Sequence, residues 1–125
     1  MKRYDPLVAP NPDEWGALDE TVQHRLVEDY HRRARVKLPN VKIHAIIHTV
    51  VESQILLGDE TPVQRTLQRL MGEGLDRHEA IHAIGMVLAE FIYDILRQPI
   101  SSGDPNPAYF AAVEKITAED WRRSG

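Results

Sequence analysis

At intervals along the chain a short polar residue, often followed by proline, stands just before an apolar run: Asn11-Pro12, Asn40, Thr61-Pro62, Asp76 and Asn106-Pro107. Such side chains accept hydrogen bonds from the free N–H groups of a first helical turn. Proline fits the first helical position, where its missing N–H costs nothing. This punctuation divides the chain into helices at about 19–34, 41–57, from 62 to near "MGEG" (71–74), 77–97 and from 106, with a short first turn opened by "NPDEWGAL" (11–18) and a last one at Thr117 with Asp120. Thr61 with Gln64, and Asp76 with Glu79, have the spacing of a capping box. The glycines of "MGEG" suit a left-handed helix end. No segment alternates as a strand does. The fold class predicted is all-α, a compact single-domain bundle or orthogonal array of about four to six helices over residues 1–125.

Composition narrows the functions. The 125 residues are 42% hydrophobic and 27% charged, with a formal net charge of −4. That balance gives no electrostatic footprint for nucleic acid. There is no cysteine, which excludes disulfides and thiolate metal sites. No apolar run reaches the length of a membrane span or a signal peptide, so the expectation is a cytoplasmic protein without a membrane partner.

The chemistry that remains is imidazole chemistry. Of six histidines, four form i, i+4 pairs: His44 with His48, and His78 with His82. That spacing sets both rings of a pair on one helix face, one turn apart, where one ion can reach both. His44, His48, Val51 and Ile55 fall on one stripe, and His78, His82, Gly85 and Ala89 on another. Each stripe flanks an apolar arc, formed by Ile43, Ile47 and Val50 in one helix and by Ile81, Ile84, Leu88, Phe91 and Ile95 in the other. Both pairs are therefore expected at the edge of the core. The small Gly85 and Ala89 let the helices approach, so that four imidazoles converge. Glu52, one turn beyond His48, is either a fifth ligand or a hydrogen-bonding support for a ligand. Imidazole with carboxylate suits a divalent transition metal, zinc foremost, with iron, manganese or nickel as alternatives.

"HEAIH" (78–82) also matches the HExxH pattern of zinc hydrolases, in which the glutamate is the general base. Glu79 has a competing role, because it stands three residues after the cap residue Asp76. Glu90 lies ~12 Å along the helix axis from His82 and cannot join both histidines on one straight helix. Glu79 is thus a catalytic candidate only if the protein is a hydrolase. The basic run Tyr30 to Lys37 fits the C-terminal end of a helix dipole. Gln54 falls on an apolar arc and needs partners. Trp15 and Trp121 are candidate core anchors.

The segments carrying these motifs are similar to a small bacterial family of short helical proteins of unknown function. The resemblance spans about residues 12–123. It rests on an H-x-x-x-H-x-x-x-E-x-Q segment (His44, His48, Glu52, Gln54) and a later H-E-x-x-H segment (His78, Glu79, His82). It implies that these residues act as a group and names no chemistry.

Three functions follow. One is a protein that binds a divalent transition metal through His44, His48, His78 and His82, with Glu52. The second is a metal-free helical interaction module held by a buried His/Glu network. The third is an HExxH-type hydrolase. A site completed across a homodimer is compatible with the first.

Overall fold

The computed structural model describes residues 1, 3–34, 40–97 and 106–124, and most of the predicted caps form there. Asn11 Oδ1 accepts from the N–H groups of Asp13 and Glu14 at 3.0 and 3.1 Å and opens α1, Pro12–Ala17. Asp19 accepts from Thr21 N–H and opens α2, Glu20–Arg33. Asn40 accepts from Ile43 N–H and opens α3, Val41–Leu56. A 3-10 turn, Gly58–Glu60, leads to α4, Val63–Gly72. At α4 the capping box does not form as the spacing predicts. The cap position falls on Pro62 without a side-chain cap bond, and the Thr61 hydroxyl accepts from Val63 N–H at 3.3 Å.

At α5, Arg77–Arg97, the box is complete. Asp76 Oδ1 accepts from Glu79 N–H at 2.7 Å, and Glu79 Oε1 accepts from Asp76 N–H at 3.1 Å. Then come α6, Asn106–Lys115, and α7, Ala118–Ser124. Reciprocal bonds between Thr117 and Asp120 fix the start of α7. The two terminal turns are thus helices in their own right, and the described residues contain seven α-helices and no strand. The all-α expectation is met. Gly74 takes a φ of +107° after α4, where a Cβ would meet Arg122 Nη2 at 2.9 Å.

Helix α3 is the central element, packed on α2, α4 and α5, while α6 and α7 lie against α5. Two apolar clusters result. The larger joins Val51, Ile55, Leu67, Leu70, Ile81, Ile84 and Val113 of α3 to α6. The smaller gathers Tyr4, Trp15, Leu26, Val27 and Ala45. Trp15 is a fully buried anchor, as expected. Gln54 finds its partner in the Tyr109 hydroxyl, which donates to Oε1 at 2.7 Å. At Gly85 a Cβ would stand 3.1 Å from Ile47 Cγ2, so glycine permits the close approach of α5 to α3.

One expectation is reversed. The histidine stripe of α3 is not at the core edge but faces inward. His48 is 2% exposed and Glu52 0%, whereas Ile43, assigned to the apolar arc, is 54% exposed. Helix α3 is apolar nearly all round, so periodicity does not single out one face. Ile95 of α5 is likewise 51% exposed. The break at 36–39, the basic residues Arg35 and Lys37, and the loop from Pro99 to Pro105 lie outside the described residues. No described helix is long and apolar enough to cross a membrane.

The Asp76–Glu79 box generates a test. Asp76→Ala should lower unfolding stability by about 1 kcal/mol, the usual cost of a lost cap. Glu79→Gln should cost markedly less, because an amide oxygen can still accept from Asp76 N–H. Urea denaturation of both variants measures this. Equal losses would contradict the assignment.

Candidate metal centre

Five imidazoles converge between the two apolar clusters. His31 comes from α2, His44 and His48 from α3, and His78 and His82 from α5. Ring nitrogens of His31, His48, His78 and His82, one from each, lie within 4.8 Å of one another. His44 joins at one side, its Nε2 3.2 Å from His31 Nε2 and 3.0 Å from His82 Nε2. The geometry thus brings together all four histidines of the i, i+4 pairs.

His31 was not a candidate on sequence, because it opens the basic run after Tyr30. It is fully buried. The signal was present: Val27 is on the apolar face of α2, and His31, four residues later, continues that face. His24 is not part of the group.

Hydrogen bonds fix which nitrogen two of the rings, His31 and His48, offer. His31 Nδ1 lies 2.8 Å from the Val27 carbonyl oxygen. A carbonyl only accepts, so Nδ1 carries the proton and Nε2, which faces His44 Nε2, keeps its lone pair. His48 is set by a longer relay. Glu52 and Arg77 are buried side by side, with Arg77 Nη2 on Oε1 and Nη1 on Oε2 at 3.1 Å. Arg77 Nη1 also donates to the Pro6 carbonyl at 2.9 Å. The Tyr4 hydroxyl donates to Glu52 Oε2 and lies 2.7 Å from His48 Nε2. Its single proton is committed to the carboxylate, so His48 Nε2–H donates to the phenol oxygen. The His48 Nδ1 lone pair is then free. Burial, and after it the Glu52 charge, pushes the Tyr4 phenol well above its ordinary value, which keeps that proton in place.

Glu52 therefore does not stand among the clustered ligand atoms. Its two oxygens are taken by Arg77 and Tyr4, and it supports His48 through the phenol. Neither Tyr4 nor Arg77 was legible as part of the site, since each reaches it only through tertiary packing. Two ring nitrogens, His48 Nδ1 and His78 Nε2, are buried and have no hydrogen-bond partner among the described residues. Glu79 is exposed, and its carboxylate is engaged in the capping box.

The rings are held neutral. Burial, and then the neighbouring histidines, lower His44 to about 4, His82 to about 2 and His48 well below the ordinary value. Burial, and then His31, lowers His78 to about 4. Burial also lowers His31, against the Val27 hydrogen bond. Around the cluster, Tyr30 packs edge-on against His31 and His78, and Trp121 of α7 packs against His82. Neutral imidazoles with bare nitrogens are what a divalent transition metal requires. A tetrahedral shell at ~2.0–2.1 Å sets its nitrogens ~3.3–3.4 Å apart, so this group needs only small ring movements to close. Searches of protein-family models, curated proteins and solved structures return no match to the chain.

Two tests follow for the metal-free protein. Arg77→Met leaves the Glu52 carboxylate buried without its cation and should cost about 3–5 kcal/mol in urea denaturation. The depressed histidines bind protons in the unfolded chain but not in the folded one, between about 6.5 and their lowered values. Stability should therefore fall as pH drops from about 6.5 to 4, the value for His44 and His78. It should continue to fall toward about 2 through His82. A chelator-treated sample with level stability from neutral pH to pH ~4.5 would contradict the neutral-imidazole reading.

Proposed function

We propose that the protein binds one divalent transition metal ion through His31, His48, His78 and His82, with His44 as a fifth ligand or a closing group. The observation that carries this reading is the convergence of four imidazole nitrogens within 4.8 Å, with His48 Nδ1 and His78 Nε2 buried and unpartnered. A buried polar group without a partner costs about 1–3 kcal/mol, and coordination removes that cost. The Tyr4 and Val27 hydrogen bonds support it further, because ligating histidines usually donate their other N–H to an orienting acceptor. Zinc is the first candidate, since a set of imidazoles without thiolates suits it; iron, manganese and nickel follow.

The metal-free interaction module is the second reading. It is favoured by the Arg77–Glu52–Tyr4 network, which is satisfied without an ion. It leaves the two unpartnered nitrogens unexplained. The hydrolase reading gains less, because Glu79 is accounted for by its cap.

Protein purified without a histidine tag should carry about one equivalent of metal by mass spectrometry. The His48→Ala, His82→Ala double variant should carry none. At ~100-fold excess over Kd, zinc should add about 2.7 kcal/mol, roughly 10 °C in Tm for a chain of this size. Tyr4→Phe removes the acceptor of His48 Nε2–H and should weaken affinity ~10–100-fold, with the stoichiometry at saturation unchanged. A metal-free protein whose melting ignores both chelator and added zinc contradicts the proposal.

A further inference from the structure

A cavity of about 300 Å³ opens against the histidine cluster. Its polar side is the imidazoles of His44, His48 and His82, and its walls are Ile47, Ile81, Met86 and Trp121. Gly85 and Ala89 also line it. The small Ala89 leaves room, and a larger residue there would occupy it, whereas the missing side chain of Gly85 makes room for Ile47. The volume is at the lower end of the range for small-molecule sites. Among the described residues no Asp, Glu, Lys or Arg lines it.

Charge selects the ligand. Ligating imidazoles are neutral, so a divalent ion held by them keeps its full charge. The nearest buried carboxylate does not offset it, because Glu52 is matched by Arg77. An unbalanced cation beside apolar walls attracts an anion more strongly than it would in water. The same walls reject any further charge on the ligand and reward apolar surface.

We infer that this cavity binds a small organic monocarboxylate, its carboxylate taking a fifth position on the metal in place of His44 and its compact apolar body against Ile47, Met86 and Trp121. This rests on the metal reading above. The polar head meets the histidines while the body fills the space beside Ala89. Burial of a ring-sized apolar body adds roughly 10–100-fold in affinity over the carboxylate alone.

The test uses the full chain loaded with Co2+, with metal equivalents measured by mass spectrometry before any ligand is added. Benzoate, acetate and benzyl alcohol are then titrated, followed by the visible Co2+ spectrum and by calorimetry. Benzoate should perturb the spectrum and bind at least ~10-fold more tightly than either acetate or benzyl alcohol. Ala89→Phe, or the milder Ala89→Leu, should retain one equivalent of Co2+ and the acetate response but lose at least ~10-fold in benzoate affinity. If loaded protein binds acetate as tightly as benzoate, or if both Ala89 variants bind benzoate normally, the inference is overturned and metal binding stands. If Co2+ is not retained at all, the metal reading itself fails, and the stoichiometry shows this before the ligand step.

Discussion

Glu52 and Arg77 are buried side by side between the two apolar clusters, and the arrangement of the centre depends on them. Either charge alone in that position would be costly, and together they are stable only because further hydrogen bonds complete them. Tyr4 and the Pro6 carbonyl supply those bonds. The pair thereby ties the N-terminal segment to α3 and α5, elements distant in sequence. It also commits the Tyr4 proton to the carboxylate, which obliges His48 to donate from Nε2 and leaves Nδ1 bare. A charge pair that contributes little net stability thus sets the protonation of the nearest imidazole.

The same logic extends across the cluster. Val27 fixes His31 through its carbonyl, and Gly85 lets α5 close on α3. Burial with mutual repulsion keeps His44, His48, His78 and His82 neutral. The apolar clusters on either side bury the rings, which raises the cost of any unpartnered nitrogen among them. Coordination of an ion answers that cost at His48 and His78 together. The hydrogen bonds among the described residues answer it at neither.

Much of this was legible in the sequence because it is local. Helix caps depend on residues two or three apart, so Asn11, Asn40 and the Asp76–Glu79 box can be read directly, whereas Asp19 reads as the first helical residue and is in fact the cap. The i, i+4 spacing likewise placed His44 with His48 and His78 with His82. What escaped depends on tertiary packing. An α3 that is apolar on most sides does not announce which face turns inward, so its histidine stripe was placed at the core edge instead of inside. His31 was hidden by the arginines that follow it. Tyr4 and Arg77 are ordinary residues until the fold brings them 48 and 25 positions in sequence to Glu52. The "HEAIH" motif shows both sides of this. Its histidines enter the cluster, while its glutamate serves the helix start.

The central claim is that imidazoles from α2, α3 and α5 share one metal ion. X-ray absorption at the zinc edge of the zinc-loaded protein tests it most directly. The account predicts a first shell of nitrogen at about 2.0–2.1 Å, with the outer-shell scattering of at least three imidazoles, reduced when His31 is replaced by alanine. A shell of oxygen without imidazole scattering, or a spectrum unchanged in His31→Ala, would contradict it.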